Sequence, residues 1–283
     1  MSLMRRFLRP LAGLAASLLT CAATAVPTLW VGDSDGTLGR VDLASGAVSV
    51  VGLMARPMSD IAFTVGGELW GVDLDSTLWR IDPRTAASTP VGPLGTTVNA
   101  LVFDAQGTLY AASDRLWTVD TRTGRAQALG SPGGFASSGD LAFVAGALYL
   151  SAAGLQDDRL WRLDATTGQG VAVGSGLGVG AVYGLATDDN VHLYGLTGRS
   201  VVQIDPATGT SAQRVSYGPA SGLGVAWGTA FSTEAVAAVA LPQAGLPSAP
   251  VPEPPAAMVM GLGALWLLRR LRGAAAKTQL PRT

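Results

Sequence analysis

Apolar and polar residues alternate in short runs along most of this chain, and the runs recur. A Leu-aromatic pair marks each unit: Leu29-Trp30, Leu69-Trp70, Leu109-Tyr110, Leu148-Tyr149 and Leu193-Tyr194. An apolar residue and Asp follow, then usually Ser/Thr-Gly three and four positions later. The instances are Asp42 with Ser45-Gly46, Asp82 with Thr85 and Ala86, Asp120 with Thr123-Gly124, Asp164 with Thr167-Gly168, and Asp205 with Thr208-Gly209. The Asp positions step by 40, 38, 44 and 41 residues. Segments such as Glu68 to Asp73 are short and rich in Trp, Val and Leu, which predicts strands. The Asp-x-x-Thr-Gly step predicts a hairpin loop, in which Asp accepts hydrogen bonds from the turn's amides and Gly supplies a positive φ.

Two further strands complete each unit. Before the Leu-aromatic pair lies an apolar run: Ile61 to Phe63, Leu101 to Phe103, Leu141 to Phe143 and Gly184 to Ala186. After the hairpin comes a strand ending near Gly, as in Ala47 to Gly52 and Ala126 to Gly130. Four strands per roughly 40 residues predict an all-β, five-bladed β-propeller with four-stranded blades. The first unit lacks its inner strand, and an unpaired inner strand, Leu223 to Trp227, follows the last. The two fragments are expected to join and close the ring, leaving no open sheet end. An open β-solenoid is the structural alternative. The Leu-Tyr and Ile-Asp-x-x-Thr-Gly steps resemble NHL-like and quinoprotein-like repeats, and that resemblance implies a fold only.

The two ends read as addresses. Arg5, Arg6 and Arg9 precede an apolar stretch from Leu11 to Leu19, and Ala23-Thr24-Ala25 is an A-x-A site. Residues 1–25 therefore read as a signal peptide cleaved after Ala25, with the Sec export machinery as partner. Cleavage there leaves no cysteine, since Cys21 is the only one; Thr20 before Cys21 argues against lipidation. The ectodomain is assigned to 26–232, a Pro/Ala-rich linker to 233–250, and a cytoplasmic tail to 273–283. Between them, Pro252-Glu253-Pro254 precedes an uncharged run to Leu268 and the basic cluster Arg269, Arg270 and Arg272. As a helix, Pro255 to Leu268 would reach roughly 21 Å at about 1.5 Å per residue, short of the ~30 Å hydrocarbon core. The arginines are expected to stay cytoplasmic.

This tail, 251–272, resembles the PEP-CTERM sorting signal of exported bacterial proteins. The resemblance implies recognition by an exosortase, a membrane-embedded thiol protease, with cleavage near the motif. It also implies a Gram-negative host that makes exopolysaccharide, and export across the inner membrane with at least a transient hold in it. The tail beyond Gly273 departs from the family, whose members usually end soon after the basic cluster.

Charge narrows the partners. The formal net charge of −1 hides an acidic ectodomain, because the only lysine, Lys277, lies near the C-terminus. That argues against nucleic acid as a partner. Asp33-Ser34-Asp35-Gly36 and Asp73-Leu74-Asp75 are similar to calcium loops but lack a late acidic ligand, so they read as turns. Asp60 and Asp140 begin inner strands and could face the channel. The matching positions then read as Asn99, Tyr183 and Ser221, which makes no acid triad; a glycosidase needs two carboxyls roughly 5 to 9 Å apart. His192, the only histidine, reads as a strand-edge residue, with no metal site around it. Trp79, Trp117 and Trp161 share one register and either stack a sugar or pack between blades. No cofactor is implied. The sequence thus predicts a non-enzymatic binding or scaffold propeller, associated with exopolysaccharide or a surface protein. The alternative is a secreted carbohydrate-active hydrolase or lyase.

Overall fold

The structure, a computed structural model, describes residues 28–237. The expected signal peptide with Ala23 and Ala25, and the expected sorting motif with Pro252, Glu253, Pro254, Arg269, Arg270 and Arg272, lie outside the described residues. Among the described residues no helix is long and apolar enough to cross a membrane.

Twenty strands form five four-stranded antiparallel sheets. The first unit supplies β1 (Thr28–Asp33), β2 (Thr37–Asp42) and β3 (Val48–Leu53). The second is β4 (Met58–Phe63), β5 (Leu69–Asp73), β6 (Thr77–Ile81) and β7 (Ser88–Pro93). The third is β8 (Ala100–Phe103), β9 (Leu109–Ala112), β10 (Leu116–Val119) and β11 (Ala126–Leu129). The fourth is β12 (Ser137–Val144), β13 (Ala147–Ala152), β14 (Arg159–Leu163) and β15 (Gly170–Val173). The fifth is β16 (Gly184–Ala186), β17 (Leu193–Thr197), β18 (Ser200–Ile204) and β19 (Ser211–Ser216). The last strand, β20 (Ala226–Ala230), pairs with β1 and completes blade 1, Trp30 opposite Ala230 and Gly32 opposite Gly228. The inner strands β20, β4, β8, β12 and β16 are neighbours in a closed circle. This is a five-bladed propeller, and closure sets aside the solenoid. The closing strand lies three residues later than the sequence indicates. Pro219–Ser221 is instead a 3-10 turn ending on Gly222 in the left-handed region.

The core is not central. It is divided into five clusters, each between neighbouring blades. The Leu-aromatic pairs explain why. Each leucine is fully buried, and each aromatic faces a small residue on its own inner strand: Trp30–Ala230, Trp70–Ala62, Tyr110–Val102, Tyr149–Ala142 and Tyr194–Ala186. The aromatic then reaches a Phe one residue beyond its partner's counterpart on the next blade's inner strand, at or next to that strand's end. Ring centroids are 5.3 Å apart for Trp30–Phe63, 6.2 Å for Trp70–Phe103, 5.7 Å for Tyr110–Phe143 and 5.7 Å for Tyr194–Phe231. Such pairs add about 0.5–1.5 kcal/mol beyond area burial. At the fourth-to-fifth junction the same register holds Thr187.

The hairpin aspartates do what their spacing predicts. Asp42 Oδ1 accepts the amides of Ala44 and Ser45 at 2.9 and 2.8 Å, and Asp164 Oδ1 those of Thr166 and Thr167 at 2.8 and 3.0 Å. The residue closing each turn has a positive φ, including Ala86 at 63°. Ala86 is tolerated there because it packs into a core cluster beside the glycine of the preceding blade, Gly52. Gly209 has no such room. Its φ is 68°, and a Cβ would lie 2.4 Å from the Val173 carbonyl oxygen. Gly209→Ala is therefore expected to lose at least about 2 kcal/mol, from left-handed strain plus forced displacement of a neighbouring backbone. Equilibrium urea unfolding measures this; an unchanged midpoint would contradict the close packing of blades 4 and 5.

Candidate functional site

The chemistry of a propeller concentrates on its axis, where the inner strands run side by side. Aligning them by their cross-strand partners puts Ser59, Asn99, Gly139, Tyr183 and Trp227 at one level. The next level holds Asp60, Ala100, Asp140, Gly184 and Gly228. Asn99 and Tyr183 are thus one step removed from the aspartates, and Ser221 is not on an inner strand at all. The sequence reading misjudged this register because the inner strands start at different distances from their Leu-aromatic pairs.

The first level opens as a pocket of about 150 Å³. Its wall comprises Ser59, Leu74, Asn99, Ser138, Gly139, Tyr183 and Trp227, none of them charged. Ser59 Oγ donates to the Val72 carbonyl at 3.0 Å, and Asn99 Nδ2 to the Ser137 carbonyl at 3.1 Å. The Asn99 Oδ1 accepts no hydrogen bond among the described residues.

Below the pocket the channel is packed. Asp60 and Asp140 are 0% and 1% exposed and do not line the pocket. They cap the inner edges of the ring. Asp60 accepts from its neighbour Ile61 N–H at 2.8 Å and from Leu101 N–H, one blade on, at 2.6 Å. Asp140 accepts from Leu141 N–H at 2.6 Å, from Leu185 N–H in the next blade at 2.7 Å, and from the Thr229 hydroxyl at 3.1 Å. Two carboxyls thus satisfy amides at one register on four of the five inner strands. An inner edge is otherwise a row of unpaired donors, costly to bury. Gly228 allows the fifth strand to close up, since a Cβ there would lie 2.5 Å from the Asp60 Cα.

A third acid enters from the far end. After β20 the chain turns into a single helical turn, α1 (Glu234–Ala237), packed on β8 and β12. Glu234 is 4% exposed, and its Oε1 has no partner among the described residues. The sequence reading placed this residue in the linker. Burial pushes the Glu234 carboxyl well above its usual range, and the Asp140 charge adds to the effect. Burial likewise drives Asp60 and Asp140 well above theirs. The charge of Asp60 adds to the effect at Asp140, because like charges confined together disfavour ionisation of both.

The tryptophans at the shared register belong to the blade interfaces. Trp79 is buried and donates its indole N–H to Asp73 Oδ2 at 3.0 Å. Trp117 packs in the interface between blades 2 and 3 beneath the Arg115 guanidinium, 5.6 Å from its ring. Trp161 meets Phe135 edge-on at 5.8 Å. The same register holds Gly39 and Val202 in the other blades, so these positions do not form five equal pockets. Asp33 and Asp73 spend their Oδ1 atoms on turn amides, those of Asp35 and Thr37 and of Asp75 and Thr77.

His192 has company that the sequence reading passed over. Asp188, Asp189 and His192 offer ligand atoms within 4.8 Å of one another on the β16–β17 loop. Asp189 Oδ2 lies 2.6 Å from His192 Nδ1. Burial raises the Asp189 carboxyl, but hydrogen bonds from the His192 and Val191 amides and from the His192 ring outweigh it and hold the group below its usual range. The pair reads as a hydrogen-bonded surface clasp.

No known protein family and no curated protein matches this sequence. Among solved structures, one similar chain comes from work on the de novo evolutionary emergence of a symmetrical protein. It shows 20% identity, a TM-score of 0.46, and coverage of 71% of this chain and 93% of that one. Another is a structural genomics protein of unknown function from Bacteroides thetaiotaomicron. It shows 12% identity, a TM-score of 0.48, and coverage of 75% of this chain and 66% of that one. The assignment of fold rests on the closed set of sheets itself.

Proposed function

We propose that this chain is an exported envelope protein whose propeller is a non-enzymatic binding module, carried by a PEP-CTERM-like sorting tail. The observation that supports binding over catalysis is the contrast along the axis. The open end of the channel is uncharged and lined by aromatic, amide and hydroxyl groups. The acids lie beneath it, buried and hydrogen-bonded to backbone. A hydrolase or lyase would need carboxyls within reach of a substrate. The ligand in this reading is exopolysaccharide or a surface protein, and the partners for delivery are the Sec machinery and an exosortase.

Two experiments test the reading. Purified protein mixed with host polysaccharide is expected to co-sediment with it and leave its chain length unchanged; shortening of the polymer would favour the enzyme. In the native host, Glu253→Ala is expected to leave a heavier, membrane-held form, read by mass spectrometry of fractions. Unchanged mass and fractionation would remove the exosortase from the account.

A further inference from the structure

We propose that the pocket at the channel mouth recognises a single neutral pyranose ring, with Trp227 and Tyr183 facing its C–H surface and Asn99 and Ser138 its hydroxyls. The inference rests on the binding reading above and gives it a site and a ligand class.

Three observations carry it. The first is position. Each of the five inner strands contributes one residue at one level, so the repeat brings four side chains and a glycine together at the axis. Three steps further along each inner strand, the residue opposite the aromatic is Ala or Val in every blade. At the mouth the five residues are Ser, Asn, Gly, Tyr and Trp. Blade packing alone makes no demand for this mixture, whereas an asymmetric ligand on a pseudo-symmetric axis does.

The second observation is size. A cavity of about 150 Å³ matches one that accepts a lone six-membered ring, and falls well below the ~300–1,000 Å³ of pockets for larger ligands. A polymer would therefore be read through one terminal unit rather than along its length.

The third is chemistry. Aromatic side chains present a flat apolar body, suited to the C–H face of a sugar. Asn99 and Ser138 line the same wall, and the Asn99 amide carries a second N–H beyond the one it gives the Ser137 carbonyl. No cation lines the wall to receive an anion. Uronic acids and sugar phosphates are thereby disfavoured.

The test uses the full chain purified in detergent. Methyl glycosides of glucose, galactose, mannose and N-acetylglucosamine, with glucuronate as the anionic comparison, are titrated by saturation-transfer NMR and by indole fluorescence. At least one neutral glycoside is expected to bind and glucuronate to bind at least tenfold more weakly. Trp227→Ala and Asn99→Ala should each weaken binding at least tenfold, the second guarding against a variant that merely disturbs closing strand β20. Melting temperatures establish that each variant folds. Equal binding of glucuronate, absence of binding by every glycoside, or full binding by both folded variants would overturn the proposal. Retention of host polysaccharide by the folded variants at wild-type strength would also overturn it while leaving the binding module intact. Failure of the wild-type chain to bind either polymer or glycoside would overturn both.

Discussion

Asp140→Ala is expected to destabilise the propeller by about 3–5 kcal/mol at pH 5, more than any exposed substitution. The side chain is acceptor for two backbone amides, Leu141 and Leu185, and for the Thr229 hydroxyl, so it joins strands β12, β16 and β20. Removing it strands three buried donors, each worth about 1–3 kcal/mol when unsatisfied. The vacated volume adds a cavity in a channel too tight for easy collapse. Relief from burying a carboxyl beside Asp60 offsets part of the loss, which is why the expected sum is below the simple total. For a domain of this size the melting temperature should fall roughly 2–4 °C per kcal/mol. Asp140→Asn, whose amide oxygen in the Oδ2 position still accepts from Leu185 N–H and the Thr229 hydroxyl, should lose less. Equal stability of Asp140→Ala and the wild type by urea titration would mean that the inner strands are held by their flanking interfaces alone.

The second large effect is a loss of stability on the alkaline side. Asp60, Asp140 and Glu234 each have folded pKa values above their ordinary values of 3.8, 3.8 and 4.5. Above those ordinary values the folded chain holds protons that the unfolded chain has released. Stability from these groups is therefore complete below about pH 4 and is lost as pH rises through the folded values. The exposed hairpin aspartates Asp42, Asp120 and Asp205 act oppositely, since backbone and side-chain hydrogen bonds hold their values low. Their contribution is lost as pH falls through those lower values, and solvent screens it. The melting temperature should consequently decline from mildly acidic pH toward pH 9. Glu234→Gln removes one of the three charges with little change in shape. It should raise stability at pH 8 by at least about 1 kcal/mol, each unit of pKa shift being worth about 1.4 kcal/mol, and flatten the decline. A wild-type profile that rises from pH 5 to 9, or a Glu234→Gln profile parallel to it, would show that folding does not hold the channel acids in their protonated form.

The repeat was legible because each of its marks has a local cause. Asp-x-x-Thr-Gly folds on itself through side-chain-to-backbone bonds that span two or three residues, so it reads the same in any context. Even its exception, Ala86, was visible as a break in the pattern. The Leu-aromatic pair was visible too, but its partner was not. Phe63, Phe103, Phe143 and Phe231 sit in the following blade, and only the twist of one sheet past the next brings them to the aromatics. A search for Phe at the end of each inner run finds Phe63, Phe103 and Phe143 and marks Thr187 as the weak junction, whereas Phe231 lies beyond the run read as Leu223 to Trp227.

The axis shows the same division more sharply. Asp60 and Asp140 were singled out as acids near a channel, but their register to Asn99 and Tyr183 was read one step out. Inner strands vary in length, from the three residues of β16 to the eight of β12, and counting from strand starts then misleads. Trp79, Trp117 and Trp161 looked alike along the chain because they share a hairpin offset. They differ in space because neighbouring blades put different groups across from them. Glu234 was assigned to a linker on the Pro/Ala-rich composition of 233–250; the acids that surround it arrive from 94 and 174 residues away.

By itself the sequence determined the number of blades, the turn chemistry and the pairing of two incomplete ends into one sheet, all of which follow from short-range bonding and a period of about 40 residues. Only the tertiary structure decided what lies on the axis: an uncharged mouth, two aspartates closing four inner edges, and a glutamate plugged from below. Those residues are adjacent because a ring of five makes its inner strands converge, and convergence is a property of the closed circle that no single repeat contains.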